Sequence, residues 1–441
     1  MSGLLVADKG NMLRMEEAIS GADEQVLQHF LSNSTWDEKA VLKQVAKDVD
    51  RRLGGRPDSC LILDESGFPK KGDKSVGVAR QYCGQVGKVD NCQVAVFGVL
   101  SCGEKASPVD VRLYLPKEWV EDRKRCKKAG IPAAECRAER TKHTLALEIV
   151  VTALERGLRY QWVGCDAFYG KNAAFLRALQ VLEQTFVADV HKNQIVFLED
   201  PCRPGAEPKG IRVDEWMQGR PAKGWKRVEV RGTTKGLLAV EVLHQAVWVW
   251  DGHEKEAQKW RLLVRREVAC PTKIAYVLSN AGPDVTVRRL AFMQAQRYWV
   301  ERVFEDAKTE AGLGEYQVRG WRPWQRHMAL VAMAMAFLLQ ERLDNAFDLP
   351  LLSCRDVTSV LKQVLRGHQR TPEETRWASA GSGGMAGSSP LPGRAFPRRR
   401  SGPDGGRSTD SSRDPPGEPN FPLLKPSLQS QSMTVRVRFS L

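Results

Sequence analysis

The chain has 441 residues, with 67 Lys+Arg against 53 Asp+Glu and a formal charge of +14. At roughly 100–200 residues per domain, that length predicts several domains with a sizeable core, and the basic balance favours a polyanionic partner, nucleic acid ahead of an anionic membrane. The longest apolar stretch, Met328 to Leu339, has 12 residues, short of the roughly 20 a bilayer helix needs; the amino terminus lacks an export signal, so a cytoplasmic location is expected.

Residues 1–55 read as a helical segment. Val26, Leu27, Phe30 and Leu31 recur at helical spacing, and Thr35-Trp36-Asp37-Glu38 reads as a cap before a second amphipathic run ending at Leu53 and Gly54-Gly55. Cys60-Leu61-Ile62-Leu63-Asp64 has strand length, stops at a carboxylate and precedes the turn formers Ser66, Gly67 and Pro69. Asn91 to Cys102 and Val109 to Leu115 flank Gly103 as a hairpin, Thr141 to Leu158 is a helix, and Trp162 to Asp166 is another strand ending in a carboxylate. A fifth strand is expected over Thr185 to Val190. In an open α/β sheet a right-handed crossover can set the first and fourth strands side by side, making Asp64 and Asp166 neighbours at carboxyl ends of strands.

From residue 205 to 280 the pattern turns β-rich, with strands at Trp225 to Arg231, Leu237 to Trp250, Lys259 to Val268 and Ile274 to Leu278. Helical periodicity returns from Val287 to Leu313 and from Trp324 to Asp344. From Thr371 onward Gly, Pro and Ser make 31 of 71 residues, a composition that cannot bury a core, so a disordered tail is expected. The reading divides the chain into a helical segment (1–55), a first core part (56–204), a β-rich insertion (205–280), closing helices (281–345), a C-terminal helix (346–370) and the tail (371–441).

No Cys-x-x-Cys or His-x-x-x-His pair offers zinc-ligand spacing, and no phosphate loop or nucleophile turn is present. What remains is carboxylate chemistry. Arg297, Glu301, Glu305 and Lys308 share one face of a helix whose opposite face, Val300, Val303, Phe304 and Ala307, is apolar. Alone, that polar face is an ordinary ladder of surface charge pairs. Alongside Asp64 and Asp166, Glu301 completes a set of three hard oxygen ligands suited to Mg²⁺, with Mn²⁺ as substitute, and to in-line displacement at phosphorus. Arg297 and Lys308 would then hold the DNA backbone.

Asp64-Glu65-Ser66-Gly67-Phe68-Pro69-Lys70-Lys71-Gly72, Ser75 to Tyr82, Asp90-Asn91-Cys92-Gln93, Cys165-Asp166-Ala167-Phe168-Tyr169-Gly170 and Tyr316 to Trp321 together resemble the DDE superfamily of bacterial insertion-sequence transposases, in particular the insertion-sequence 701 type related to the insertion-sequence 4 group. The resemblance runs through most of residues 20–370. It implies a ribonuclease-H-like mixed sheet with a β-rich insertion, a catalytic triad of Asp64, Asp166 and Glu301, and at least a homodimer acting on double-stranded DNA. It also implies the Y-R-E-K pattern, which falls on Arg297, Glu301 and Lys308; the Tyr position holds Gln294, with Tyr298 nearby, and Glu305 is the alternative Glu one turn on.

Weaker expectations attach to other residues. Lys70, Lys71, Arg80 and Lys88 lie along the DNA path beside Asp64, or are simply exposed. Trp248 and Trp250 share one strand face and either stack on a flipped base or pack in the core. Arg326-His327 belongs to the family pattern or packs, and Asp189 is a spare metal neighbour or a surface carboxylate. The activity expected is cutting of element ends and joining of 3′-hydroxyls to target DNA. A metal-dependent nuclease without strand transfer and a truncated or frameshifted DNA-binding remnant are the alternatives.

Overall fold

The computed structural model describes residues 1–19, 21–136, 140–233 and 236–367; the tail and its Arg398-Arg399-Arg400 run lie outside the described residues. Four helices come first: α1 (Ser2–Val6), α2 (Met12–Ala18), α3 (Glu24–Ser32) and α4 (Glu38–Leu53). Asp37 caps α4 through the Lys39 N–H, as the cap motif predicts. The strands β1 (Ser59–Pro69), β2 (Ala79–Cys83), β3 (Lys88–Cys102) and β4 (Lys105–Leu113) follow, then the short helices α5 (Lys117–Glu121) and α6 (Arg123–Lys128) and the longer α7 (Lys142–Glu155). Next come β5 (Trp162–Cys165), α8 (Ala167–Gly170), α9 (Ala173–Val181), β6 (Phe186–Val190), the small pair β7 (Ile195–Val196) and β8 (Ile211–Arg212), and α10 (Val213–Gln218). Four longer strands, β9 (Lys226–Thr233), β10 (Gly236–Val249), β11 (Gln258–Glu267) and β12 (Ile274–Ser279), precede α11 (Val287–Ala295), α12 (Tyr298–Glu310), α13 (Trp321–Asp344) and α14 (Cys354–Gly367).

One ten-stranded sheet runs in the order β2-β3-β1-β5-β6-β12-β11-β10-β9, with β4 also paired to β3. β1, β5 and β6 are parallel, and β3 lies antiparallel to β1. This is the expected ribonuclease-H-like mixed sheet. The β-rich stretch is not a sheet of its own, because β12 pairs antiparallel with β6 and carries the core sheet onward into β11, β10 and β9.

Two expectations need correction. The first strand does not stop at Asp64: β1 continues through Gly67, which pairs with Val94, to Pro69, which pairs with Cys92. Pairing with the long strand β3 overrides the local turn signal of Ser66-Gly67, as tertiary context often does. What ends near Asp64 is the parallel partner β5, whose last register pair is Leu63 with Cys165. The run from Val287 to Leu313 is not one helix either. It breaks between Ala295 and Tyr298, where Arg297 reaches toward the sheet.

The two faces of the sheet are distinguishable from its contacts. Gly98 pairs with Leu63, and a Cβ placed at Gly98 would meet Ile149 of α7 at 2.5 Å, so Leu63 faces α7. Phe97 pairs with Asp64, and its ring meets Phe304 of α12 at 5.2 Å between centroids. Side chains alternate along a strand, so Asp64 lies on the α12 face. Behind α12 and beside β4, the apolar stripe of α13, from Trp324 through Met328, Val331 and Met335 to Leu339, is buried. Among the described residues no helix is long and apolar enough to cross a membrane.

Candidate active site

Three parallel strands bring three aspartates into one row. Leu63 is in register with Cys165, and Cys165 with Ala188; the next residue on each strand is Asp64, Asp166 or Asp189. All three therefore leave the sheet on the α12 face, where the β1–β5 and β5–β6 pairings end. Asp64 Oδ1 accepts the Glu65 N–H at 2.7 Å, and Asp166 Oδ1 accepts the N–H groups of Phe168 and Tyr169 at 3.0 and 3.3 Å, capping α8. Those bonds fix both carboxylates and leave the second oxygen of each for a ligand. Gly170 is required here: a Cβ on it would sit 1.9 Å from the carbonyl oxygen of Asp189.

Across this row lies Arg297. Its Nε donates to Asp189 Oδ2 at 3.0 Å, one terminal nitrogen donates to Glu301 Oε1 at 2.9 Å, and the other stands 3.8 Å from Asp64 Oδ2. Asp189 is thus an integral member of the cluster, with its other oxygen taken by Gln294 Nε2 at 2.8 Å. Burial works against the Arg297 charge, but Asp189, Asp64 and Glu301 together raise its pKa above the ordinary value. Burial first, and then the Asp166 charge, push the Asp64 carboxyl up to about 8. Burial, followed by Glu65, likewise raises Asp166, and burial raises Asp189. One guanidinium does not compensate a row of close carboxylates.

The sequence reading missed Glu65. It sits on the α7 face, where Oε1 accepts from Lys142 Nζ at 2.8 Å and Oε2 from the Tyr169 hydroxyl at 3.0 Å. The adjacency of Glu65 to Asp64 and the Tyr in Asp166-Ala-Phe-Tyr were the available signals.

The remaining expected residues are spread more widely. Glu301 has a side chain 55% exposed, joined to Asp64 through Arg297. Glu305 turns outward to Arg302 at 2.5 Å. Lys308, seven residues beyond Glu301, is half-buried near Cys83 of β2, and burial lowers its pKa. Lys70 lies 3.5 Å above the Tyr316 ring and donates to the Tyr316 carbonyl at 3.2 Å, and burial pushes its pKa down to about 8. Lys71 and Arg80 are exposed, and Lys88 is 4.0 Å from Asp90. Trp248 and Trp250 are not brought to the carboxylates. In register, Asp189 is level with Val277, Leu263 and His244, so Trp248 lies four residues along β10 toward the opposite end of the strands. Lys259 covers its ring, while Trp250 packs on Phe197 and donates to the Glu254 carbonyl.

Arg326 and His327 are both buried. Arg326 donates to the carbonyls of Leu31, Ser34 and Trp36, and His327 Nε2 lies 3.1 Å from the Gly312 carbonyl. They tie the α3–α4 connection and the end of α12 to α13.

Among the described residues no group of three acidic, His or Cys side chains is assembled to hold a metal ion. Asp64 and Asp166 nevertheless fit one in kind. They are hard oxygen donors, fixed by backbone bonds, whose joint ionisation is opposed by burial and mutual repulsion.

Asp64, Asp166 and Asp189 form an acidic row where the parallel pairings of a ribonuclease-H-like sheet end, and comparison with known proteins gives the family. The family model described as DDE superfamily endonuclease matches residues 2–247, more than half the chain. The chain belongs to that family. The match includes Asp64, Asp166 and Asp189 and ends before Glu301. The chain is also 27% identical, over 304 residues covering 68% of its length and 70% of the relative's, to a probable transposase for insertion sequence element IS701 from Microchaete diplosiphon. Among solved structures it aligns with the NurA nuclease from Sulfolobus solfataricus at 10% identity, over 73% of this chain and 97% of that one, with a TM-score of 0.24; that score is too low to bear on the fold.

Proposed function

We propose that the protein is a DNA transposase that cleaves the ends of its element and joins the freed 3′-hydroxyls to target DNA, with Asp64, Asp166 and Glu301 as its catalytic carboxylates. The observation that carries this reading is the lateral pairing of Asp64 with Asp166 on the α12 face, tied to Glu301 through Arg297. The transposase relative supports it. In this reading the three carboxylates hold Mg²⁺, or Mn²⁺ in its place. When bound, the ion supplies charge neutralisation at phosphorus and activation of the attacking hydroxyl.

The chain's own residues have separable tasks. Asp64 and Asp166, locked through Oδ1, present their second oxygens in a fixed geometry. Arg297 orients Glu301 and offsets the negative row so that a phosphate can approach. Lys70 and Lys308, half-buried with lowered pKa values, are backbone contacts on one side, joined by exposed Lys71 and Arg80. Strand exchange at two ends calls for a homodimer on DNA, and the site of action is cytoplasmic. The division of the chain at residues 55, 204, 280 and 345 belongs to the same proposal, with Trp248 and Trp250 as DNA contacts remote from the chemistry.

End-labelled duplexes carrying the gene's flanking inverted repeats test this. Cleavage at the repeat boundary that needs Mg²⁺ or Mn²⁺, disappears in Asp166→Asn and Glu301→Gln, and yields joined products is the expected result. Cleavage without end preference or joining would leave only a metal-dependent nuclease. Binding without cutting would leave a remnant.

A further inference from the structure

Side chains of β9 and β11 lie beside the start of α12, and three of the N–H donors there have no hydrogen-bond partner. Arg231 of β9 lies over two rings at once, 4.7 Å from the Tyr298 centroid and 4.8 Å from that of Trp299. Arg265 of β11 lies within electrostatic reach of Asp189, Glu267, Arg297 and Arg231, and burial lowers its pKa. Three N–H donors here are buried without a hydrogen-bond partner: Arg231 Nε, Arg265 Nε and Trp299 Nε1. Asp189 does not serve them, since its oxygens are bonded to Gln294 and Arg297.

Unmet buried donors are costly, and guanidinium groups left in such a place suit a multivalent anion with several acceptor oxygens. Free inorganic phosphate and a DNA phosphodiester share that chemistry. The setting favours DNA. Tyr298 and Trp299 lie three and two residues before Glu301, so these donors adjoin the acidic row, and the 41% exposed Tyr298 offers a ring edge to a sugar or base beside the phosphate.

We propose that Arg231, Arg265 and Trp299 form a phosphate pocket that grips the DNA backbone next to the scissile position. Arg231 is held between the Tyr298 and Trp299 rings, which meet at 70°, so its position is restricted before DNA arrives. The unpartnered acceptors Gln294 Oε1 and Gln296 Oε1, on α11 and in the turn after it, take no part in anion binding. This inference rests on the transposase reading only for the identity of the DNA. The pocket itself follows from the donors.

The test is metal-free binding of a 30-base-pair duplex and of inorganic phosphate as competitor, across a salt series. Wild type is compared with Arg231→Ala, Arg231→Lys, Arg265→Gln and Trp299→Phe, each first checked for an unchanged thermal midpoint. Loss of one phosphate contact should lower the steepness of log K against log salt by about 0.9. Arg231→Ala and Arg265→Gln should each do so, with affinity at low salt falling about tenfold. Arg231→Lys should keep the slope and lose affinity, and Trp299→Phe should lose affinity alone. An unchanged slope and affinity in both Arg231→Ala and Arg265→Gln would overturn the pocket, as would competition by phosphate that is equal in wild type and Arg231→Ala. If these two variants destabilise the fold, Arg231→Lys and Trp299→Phe decide: wild-type affinity in both overturns it. Wild-type protein that binds DNA through these residues but never cuts removes the transposase reading and leaves the pocket, whereas cutting with an unchanged slope does the reverse.

Discussion

Asp64 and Asp166 are 102 positions apart in the chain and one strand apart in the sheet, each following a member of the register pair Leu63–Cys165. Two carboxylates placed that way repel in the absence of a cation. The Asp64 carboxyl is pushed up to about 8, chiefly by burial and then by Asp166. The fold thus carries a local electrostatic cost at the place where a divalent ion would relieve it.

Replacing that charge should stabilise the metal-free protein. Asp64→Asn keeps the shape and removes a buried carboxylate, so its thermal midpoint at pH 8 without metal is expected to exceed that of wild type. Mg²⁺ or Mn²⁺ should raise the wild-type midpoint and leave the variant's unmoved. Differential scanning fluorimetry reads both quantities, and an equal metal response in the two proteins would count against Asp64 as a ligand.

Gly170 packs against the backbone of β6 at Asp189. Gly170→Ala forces apart two backbones that no rotamer can separate, at a cost of about 1–3 kcal/mol. The displacement falls on Asp166 and Asp189, so cleavage should be lost by more than the stability change accounts for. Urea melts set beside single-turnover cleavage check this; normal cleavage in a destabilised protein would contradict it.

Arg326 is buried and donates to three carbonyls of the α3–α4 connection. Arg326→Leu strands those acceptors, while Glu38, whose Oε2 lies 3.7 Å from Arg326 Nε, keeps Arg322 at 3.6 Å. The expected loss is about 2–4 kcal/mol, from buried carbonyls left without donors. Limited proteolysis should show new cutting near residues 32–37 before the core is attacked.

His327 is buried, and that burial brings its pKa down to about 4 from an ordinary 6.5. The unfolded chain binds this proton more readily than the folded one, so stability rises with pH through this interval. The contribution is fully present above about pH 6.5 and is lost as pH falls toward 4, amounting to about 3 kcal/mol. His327→Gln should flatten the acid limb of a stability–pH curve between those values; an unchanged limb would assign the acid sensitivity elsewhere.

The sequence alone marked the longer strands of the core and β-rich stretch and helix α7 to within a few residues, apart from the far end of β1, but not β2, α5, α6 or α9. The apolar periodicities of Leu61 to Leu63, Val94 to Val99 and Trp162 to Cys165 are local, and each element buries the face its pattern marks. It also marked Asp64 and Asp166, each directly following a buried strand residue, as the carboxylates to be brought together, and the register places them side by side. Only the tertiary structure decided the rest. That Asp64 lies in mid-strand depends on pairing with β3, which no local turn signal encodes. That Asp189 belongs to the acidic row follows from the register Cys165–Ala188. The helix break at Arg297, which lets one guanidinium meet Asp64, Asp189 and Glu301, occurs where the turn faces the sheet. That Trp248 and Trp250 lie toward the opposite end of the strands from Asp189 depends on three successive registers, β6 to β12 to β11 to β10. Registers are set by contacts between distant segments, whereas periodicity is set by neighbours.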